Sequence, residues 1–595
     1  MEDNAILEPL KEWSTLKDKC HQNAIEYYNE MVKKSAIDEK ANNSTCDEYN
    51  AAYAAYQKAL KKVGSATVIK VLLIILDVLV FIAALVMIIL AFVVEGMMTV
   101  GLIVGICLVL LGAGIIVFLC LKIQKLLENR RLKAEKLKEK VDKLFATANA
   151  QMAPLNALFD WGMMAEVIEK TTPLIQMDKN FDVEKFQYLH EHYGLTDNNN
   201  PKESTAFVQS GSIKGNPFIV VRQNHQIDSQ KTYTGSITIS WTTHGTDSQG
   251  HSTTISHSQT LTASETKFYP VYNYDTFLVY ANDAAPDLHF SRTPQVEKGT
   301  DDNKIKRMVK KGSKELDKLE KKELMDNDAS TNFTSMGNDE FDVLFHAVDR
   351  DNEVQFRLLF TVLAQRNMVD LIKSDEPYGD DFNFTKIKKL NYIQSKHSQR
   401  EDIYGNPTKF FSHDCRLSRN SFVDYCDKYF QCLYFDLAPV ISIPLYQMNK
   451  PREYIYNEPI TSNLTSYEME TLANSFDENM VKPATCTTCT IKKTQFLSKE
   501  GDTDKALLTS YGFRGERRVT NHSVMGGDGR MHVIPVSWVE YIPVKRELMM
   551  KAKNASETKK TFSEKVNSYA SALGSDTLSY QRKLVAALSE YTSNN

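Results

Sequence analysis

The chain has little cysteine, proline and glycine for its length. Nine cysteines spread over 595 residues do not form the dense pattern of a disulfide framework. The 25 glycines and 17 prolines are too few for a collagen-like or low-complexity chain. The net charge is only −4, so bulk charge does not favour a nucleic-acid partner. Hydrophobic residues, in contrast, make up 42% of the chain, which excludes a mostly disordered protein.

Two long apolar runs near the beginning of the chain predict membrane-spanning helices. The first run covers residues 71–94 and carries one charge, Asp77, whereas the second covers residues 97–121 and carries none. A bilayer core about 30 Å thick needs about 20 apolar residues in helix, so both runs are long enough to span it. Only Glu95 and Gly96 separate them, which predicts a tight transmembrane hairpin. A buried core helix is the alternative, but two adjacent runs of this length argue against it.

Lysine and arginine are placed on one side of this hairpin. They precede the first run and follow the second, whereas the connecting turn has none. Because cytoplasmic flanks carry the excess of basic residues, we expect a multi-pass protein of the cytoplasmic membrane with both termini in the cytoplasm. The basic helix after the second run also suits anionic lipid headgroups, although an ordinary topology signal explains it equally well. Its residues nearest the membrane are Lys122, Lys125, Arg130, Arg131 and Lys133.

Asp77 is the single polar candidate inside the predicted membrane segment. It lies about seven residues into the first run, which corresponds to a depth of roughly 10 Å. An unpaired carboxylate at that depth is costly and sometimes marks a proton or ion path. A lone acid without an intramembrane base more often protonates or forms an interhelical hydrogen bond, so transport is the weaker interpretation.

The rest of the chain predicts an α+β protein. The fold class is an N-terminal transmembrane helical hairpin with helical flanks and a large mixed cytosolic domain containing antiparallel sheet. The predicted segments are an N-terminal helical segment (1–66), the hairpin (67–122), juxtamembrane helices (123–200), an antiparallel β-rich region (201–300), a charged helix or linker (301–335), an α+β region (336–545) and a polar C-terminal tail (546–595).

The β-rich region has the clearest pattern. From Thr232 to Trp241, threonines and serines alternate with Tyr233, Gly235, Ile237 and other mostly apolar residues. This period of two predicts a strand with one packed and one wet face. Four other segments have no clean alternation. We expect a buried strand at Phe341–Val348, one core helix at Val354–Ile372, buried strands at Tyr429–Tyr446, and a helical tail from about Lys545.

Six stretches carry a resemblance to a known group of proteins. They are SGSIKGNPF from Ser210, YTGSITISW from Tyr233, SQTLTASETKFYP from Ser258, YANDAAPDLHFSR from Tyr280, NDEFDVLFHAVDRDNEVQFRLLFTVLAQRNMVDL from Asn338 and GGDGRMHVIPVSWVEYIPV from Gly526. Over about two thirds of its length the chain resembles uncharacterised two-span membrane proteins of Firmicutes and Mollicutes. The stretch from Phe341 to Leu371 is also similar to the core of a wider bacterial membrane family of unknown function. The resemblance implies a bacterial membrane protein with a large soluble α+β part, and it implies no catalytic residues.

Cys486 and Cys489 are the candidate metal ligands. Their spacing is that of half a zinc site or a redox pair. No second CxxC exists in the chain, so the other two ligands would have to come from distant residues. Unpaired thiols in a reducing cytosol are the simpler interpretation. The distant candidates are Cys426 with Cys432, and His413 with Cys415.

Two further patterns are weaker. His244, His251 and His257 crowd one polar turn, where nothing fixes the geometry that a metal needs. The glycine-rich stretch at 526–529 lacks the Lys and Ser/Thr of a phosphate-binding loop, and its position between strand-like segments predicts a tight turn.

The sequence therefore favours a membrane-anchored, cytosol-facing binding or scaffold protein. Its expected partners are the lipid bilayer and either another protein or a second copy of the chain. One alternative is a membrane-bound enzyme of novel type, either zinc-dependent or using another chemistry. The other is an accessory subunit of a transporter or channel, and Asp77 is the only residue that suggests this function.

Overall fold

The computed structural model describes residues 5–93, 98–179, 181–196, 200–246, 251–325, 333–449, 451, 464–554, 578–581 and 584–591. The helices of this described part are α1 (Pro9–Ser35), α2 (Glu39–Val93), α3 (Met98–Phe118), α4 (Gln124–Asn156), α5 (Met163–Thr171), α6 (Val183–Tyr193), α7 (Asp302–Met325), α8 (Asp339–Phe345), α9 (Glu353–Leu359), α10 (Val362–Lys373), α11 (Lys396–Arg400), α12 (Cys415–Ile441), α13 (Pro444–Met448), α14 (Ser466–Ser475) and α15 (Glu478–Val481). The strands are β1 (Ile175–Met177), β2 (Glu203–Ile213), β3 (Asn216–Thr246), β4 (Ser252–Ala281), β5 (His289–Arg292), β6 (Phe382–Ile387), β7 (Leu390–Ser395), β8 (Ile491–Glu500), β9 (Thr503–Met525), β10 (Met531–Asn554), β11 (Leu578–Gln581) and β12 (Leu584–Glu590).

The chain divides into two compact units, and each is made of separate stretches of sequence. The first unit comprises residues 1–24, 160–406 and 425–595, and the second comprises residues 25–159 and 407–424. The segments predicted from the sequence are contiguous, so each unit combines several of them.

The second unit contains the two apolar helices. A π-helical turn at Leu119–Ile123 joins α3 directly to α4. The stretches Glu39–Leu90 and Val100–Asn156 are each long and apolar enough to cross a membrane, and few residues of their apolar windows are buried. Two long apolar helices near the N-terminus are therefore confirmed, whereas their placement in a bilayer and the side on which the termini lie remain predictions.

The polar half of α2 packs along α4. Thr45 Oγ1 accepts a hydrogen bond from Gln151 Nε2 at 3.2 Å, and the rings of Tyr49 and Phe145 lie 5.7 Å apart. Further along, Arg130 Nη1 donates to the carbonyl of Lys62 at 2.7 Å. From Thr45 to Lys62 along α2, the contacting residues of α4 run backwards from Gln151 to Arg130. The two helices are therefore antiparallel outside their apolar parts.

The first unit is built on two antiparallel sheets. The larger sheet has the strand order β1-β2-β3-β4-β7-β6-β5, and the smaller has the order β11-β12-β10-β9-β8. Every pair of neighbouring strands is antiparallel. A mixed α and antiparallel β chain is thus confirmed, and so is the strand predicted from the alternation after Thr232, which lies within β3.

Phenylalanine rings form a core beside β5. Phe290 packs edge-on against Phe356 at 5.5 Å and against Phe360 at 5.7 Å, while Phe341 stacks on Phe345 at 5.1 Å. All five rings are buried. Aromatic pairs of this kind contribute beyond the area they bury, so this cluster fixes α8 and α9 against the sheet.

The strand predicted at Phe341–Val348 is wrong, because the segment forms α8. Asn338 caps this helix by accepting a hydrogen bond from the Phe341 amide at 3.3 Å, and His346 ends it in a left-handed conformation. The single helix predicted at Val354–Ile372 is divided into α9 and α10, since Thr361 caps a new helix start. Side-chain caps of this kind compete with a longer regular element.

The strands predicted at Tyr429–Tyr446 are also wrong. The segment forms the end of α12 and then α13, with Pro439 inside α12 and Pro444 at the start of α13. Nearly every residue from Tyr429 to Ile443 is buried, and an apolar run without a visible period does not distinguish a buried helix from a buried strand.

The helical tail predicted from Lys545 is not present in the described residues. Strand β10 continues to Asn554, and β12 pairs with it over Leu584–Glu590. In β12 four consecutive residues, Val585–Leu588, are buried, so the strand shows no period of two. An apolar run this short does not distinguish a helix from a strand. The remainder of the predicted tail lies outside the described residues.

Candidate functional site

A pair of long hairpins is the most prominent surface feature of the first unit. Strands β3 and β4 form one hairpin, and β9 and β10 form the other. We call the outer parts of these strands, residues 227–246, 252–267, 512–525 and 531–547, the double hairpin. At about 3.3 Å per residue, the outer part of β3 alone is about 65 Å long.

The two hairpins pack face to face along this length. The rings of Phe268 and Phe513 lie 5.4 Å apart, and Lys267 Nζ lies 4.7 Å from the ring centroid of Trp538. Near the turn, the Gly527 amide donates to Gln259 Oε1 at 2.7 Å. The glycine-rich stretch at 526–529 is therefore the β9–β10 turn that the sequence predicts, and one of its amides holds the neighbouring hairpin.

Gly235 marks a close approach of the two hairpins. A Cβ atom at this position would lie 2.4 Å from the carbonyl oxygen of Pro535, which is inside contact distance. Only glycine allows two backbones to come so near. This explains why a glycine interrupts the apolar face of β3.

The two outer faces of the double hairpin differ in chemistry. The face of β3 and β4 carries threonine and serine, and Thr232–Thr266 and Thr238–Thr260 form cross-strand hydroxyl pairs at 2.9 and 3.2 Å. The face of β9 and β10 carries apolar side chains near the turn, each more than half exposed. These residues, which we call the apolar patch, are Val519, Met525, Met531 and Val533.

The double hairpin also has strand edges without a strand neighbour in the described part of the chain. Strand β2 pairs with β3 only as far as His225, and β7 pairs with β4 only over Leu278–Ala281. In the smaller sheet, β8 reaches β9 only to Tyr511, and β12 reaches β10 only over Leu548–Asn554. An exposed strand edge presents unpaired backbone groups, which can pair with another chain.

A second feature of the same unit is a buried cluster of His397, Cys432 and Asp436. Cys432 and Asp436 are four residues apart on α12 and therefore share one helix face, while His397 lies on α11. One ligand atom from each lies within 4.8 Å of the others. His397 Nε2 is 3.3 Å from Asp436 Oδ1, and Cys432 Sγ is 3.9 Å from Asp436 Oδ2.

Each charged group of this cluster has a partner outside it. Asp381 Oδ2 lies 2.7 Å from His397 Nδ1, which orients the imidazole. The Ser398 hydroxyl donates to Asp436, at 2.5 Å from Oδ2. The ring of Tyr378 stacks on His397 with centroids 3.9 Å apart.

The cluster perturbs the ionisation of its members. Burial alone lowers the pKa of the His397 imidazole, but the charge of Asp436 and the hydrogen bond to Asp381 outweigh it and raise that pKa to about 10. Burial raises the pKa of the Cys432 thiol well above its usual range, and the charge of Asp436 adds to this. Without a bound metal, the His397 imidazole is therefore protonated and Cys432 is a neutral thiol.

Lys386 on β6 is a separate buried charge. Its side chain is fully buried, and its Nζ lies 3.3 Å from the carbonyl of Ala284 and 5.7 Å from the ring centroid of Tyr446. Burial lowers the pKa of its amine to about 7.

The structure places the cysteine pair near β9. Cys486 is buried against Gly512, where a Cβ atom would lie 2.5 Å from its sulfur, and Cys489 is exposed. Among the described residues, the cluster of potential metal ligands is the one formed by His397, Cys432 and Asp436, and it contains neither Cys486 nor Cys489. A metal at this pair stays a prediction. The eight cysteines whose side chains the structure describes form no disulfide with one another.

The predicted membrane residues lie in the second unit. Asp77 is half-buried on α2, and its Oδ1 has no hydrogen-bond partner in the described structure. A Cβ atom on Gly112 of α3 would lie 3.3 Å from that oxygen, so the acid faces the second apolar helix. Of the five basic residues, Arg130 binds the α2 backbone, whereas the others are exposed. Those four are Lys122, Lys125, Arg131 and Lys133.

Sequence reasoning missed His397, Asp381 and Asp436 as members of a site. The interpretation of Tyr429–Tyr446 as strands separated Cys432 from Asp436, since residues four apart share a face in a helix but their side chains do not converge in a strand. A helix interpretation would have paired them. Nothing in the sequence brings His397 to this pair.

Comparison with known proteins adds no relationship. The chain matches no known protein family, no curated protein and no solved structure.

Proposed function

We propose that this protein is a membrane-anchored binding protein whose double hairpin engages a partner protein through its open strand edges. The observation that carries the proposal is the length of β3, β4, β9 and β10 beyond their last neighbouring strands. Strand addition to a sheet edge is a common mode of protein recognition, in which backbone hydrogen bonds supply affinity.

The apolar patch supports this role. Val519 and Met525 are 60% and 59% exposed, on a strand edge long enough to pair with a whole peptide strand. From Val519 to Met525 the strand carries no Asp, Glu, Lys or Arg, and an edge without such charges is open to pairing with another chain. A partner strand paired along β9 would place its own side chains beside the apolar patch.

The two apolar helices support the anchor. Large side chains such as Leu72, Ile103 and Leu110 are more than half exposed along them. In water this surface would be very costly at about 25 cal/mol per Å², whereas lipid solvates it. The bilayer is therefore the environment that we propose for α2 and α3, with the remaining chain on the cytoplasmic side.

The anchor is tested by deleting residues 71–121 and fractionating cells. We expect the full chain to pellet with membranes and the deleted chain to remain soluble. As a matched control, Leu110→Arg places a charge near the middle of the second apolar helix, where it costs about 3 kcal/mol in lipid. A deleted chain that still pellets would contradict the anchor.

The binding role is tested by photocrosslinking in native membranes. A photoreactive residue at Val519 or Met531 should give a crosslinked product, whose mass spectrum identifies either another protein or the same chain. The control places the same residue at Thr238, on the hydroxyl face of the other hairpin. No crosslink from either patch position, or an equal one from Thr238, would contradict binding through this edge.

A further inference from the structure

We infer that His397, Cys432 and Asp436 form a zinc-binding site. This inference concerns the buried part of the first unit and does not depend on the proposed binding role of the double hairpin. The three side chains come from two elements, α11 and α12, so a bound ion would link them.

The geometry is close to what zinc requires. Tetrahedral zinc with bonds of about 2.0–2.3 Å places neighbouring ligand atoms about 3.3–3.8 Å apart. His397 Nε2 and Asp436 Oδ1 are already 3.3 Å apart, and Cys432 Sγ is 3.9 Å from the other oxygen of Asp436. The third separation is at most 4.8 Å, so side-chain adjustments of about an ångström complete the arrangement.

The donor set selects the class of metal. Calcium and magnesium prefer oxygen ligands, and a cysteine sulfur beside an imidazole does not suit them. Sulfur, nitrogen and one carboxylate oxygen together suit a divalent transition metal of intermediate softness, and zinc commonly takes such mixed sets.

The surroundings of the three ligands are those of a built metal site. Metal-binding histidines usually donate their other ring N–H to a carboxylate, which fixes the tautomer. Asp381 occupies that position at His397 Nδ1. The other ring nitrogen, Nε2, faces the cluster, where it lies 3.2 Å from the Cys432 carbonyl and 3.3 Å from Asp436 Oδ1. Ser398 holds Asp436 by a hydrogen bond. These outer contacts orient two of the three ligands before any ion arrives.

A small cavity borders the cluster at Asp436. It is lined by Leu433 and Asp436 of α12 together with Phe207 and Gln209 of β2, and it has room for about one water molecule. Of the three ligands only Asp436 lines this cavity, so a water molecule would reach a bound ion from the Asp436 side. Zinc sites with three protein ligands take such a water as the fourth ligand.

A buried ion pair between His397 and the two aspartates is the competing explanation. It accounts for the imidazole and the carboxylates, but not for the thiol. Cys432 Sγ lies 3.8 Å from Ser398 Oγ and 3.9 Å from Asp436, and a thiol is a weak hydrogen-bond donor. As a metal ligand, the same sulfur has a defined role.

The test is the metal content of the full-length protein purified in mild detergent without chelators. We expect about one zinc ion per chain by mass spectrometry, lost in Cys432→Ser and in Asp436→Asn. Cys426→Ser is the matched control, because Cys426 is another buried cysteine of α12 outside the cluster. It should keep the zinc, and so should the double variant Cys486→Ser with Cys489→Ser.

A cobalt measurement keeps the test independent of whether the variants fold. The double variant at Cys486 and Cys489 is stripped of metal and titrated with cobalt(II). Binding at Cys432 should produce the thiolate-to-cobalt charge-transfer band together with the visible bands of tetrahedral cobalt. Absence of these bands at saturating cobalt, or zinc that persists in Cys432→Ser, would overturn the inference. Zinc lost only with Cys486 and Cys489 would assign the metal to that pair instead.

Discussion

Strands β3 and β4 remain paired in one register from Phe218 to Thr246, yet the inner and outer parts of this hairpin are built differently. In the inner part, Phe218–Val221 are all buried, because β2 and β4 flank β3 and helices cover the sheet. In the outer part, half-buried and exposed residues alternate from Thr232 to Trp241. The same pair of strands thus passes from a core to a surface.

This difference shows what the sequence pattern of a strand records. A strand buried on both faces has a continuous apolar run, whereas a strand with one wet face alternates. The run of four apolar residues at 218–221 and the hydroxyl alternation after residue 231 are the two cases on one chain. Burial by neighbours, and not pairing itself, decides between them.

The largest expected difference is between two phenylalanines of the same hairpin. Phe218 is fully buried opposite Gly211, where a Cβ atom would lie 2.4 Å from its ring. Phe218→Ala should lower the free energy of unfolding by about 3–5 kcal/mol. Phe268→Ala, which removes a half-buried ring from the contact with Phe513, should cost about 1 kcal/mol. Denaturant unfolding in detergent, followed by circular dichroism, measures both, and equal losses would break the comparison.

A comparable effect, spread over about three pH units, is expected from the charge buried beside the inner part. Lys386 on β6 has its pKa lowered to about 7 by burial, whereas in the unfolded chain it titrates near its ordinary value of about 10. Between these values the unfolded state binds more protons, so the free energy of unfolding should rise with pH by up to about 1.4 kcal/mol per unit.

Lys386→Met should remove this rise and stabilise the protein most at pH 7 and below. Unfolding midpoints from pH 7 to pH 10 measure it. Lys314→Met, on the exposed side of α7, is the control and should leave the pH profile unchanged. A wild-type profile that stays flat across this range would show that Lys386 is charged when folded.

The smallest effect is expected on the outer face. Thr238→Val removes one exposed hydroxyl pair with Thr260 and keeps a β-branched side chain. Surface substitutions of this kind usually change stability by less than about 0.5 kcal/mol. The same unfolding measurement applies, and a loss comparable to that of Phe268→Ala would mean that the hydroxyl face is packed against something.

The sequence predicted the parts of the molecule that have a one-sided or uniform environment. The alternation after Thr232 is visible because one whole face of the strand is exposed, and the two apolar runs are visible because each fills a whole helix. The segments at Phe341–Val348 and Tyr429–Tyr446 are buried on all sides, so no period distinguishes helix from strand. In these segments and in the segment between them, α8 and α10 begin at the side-chain caps Asn338 and Thr361, and α13 begins with Pro444 in its first turn.

The buried cluster was less accessible to prediction than the fold. His397 and Cys432 are 35 residues apart in the sequence. They meet only in the folded chain, because His397 lies on α11 directly after β7 and Cys432 lies on α12. Cysteine spacing directed attention to Cys486 and Cys489, since a local CxxC pair is visible without any fold. The four-residue spacing of Cys432 and Asp436 indicates a shared site just as well, but only if the segment is known to be a helix.

The length of α2 has a mechanical consequence. The helix runs unbroken for 55 residues, about 82 Å at 1.5 Å per residue, and a bilayer core accommodates only about 30 Å of it. Residues 39–70, which precede the apolar run, make up about 48 Å of this length and are braced by α4. Because this part of α2 continues into the apolar part without a break, inserting or removing one helical turn there should change the length of the helix by about 5.4 Å and shift its contacts with α4 by one turn.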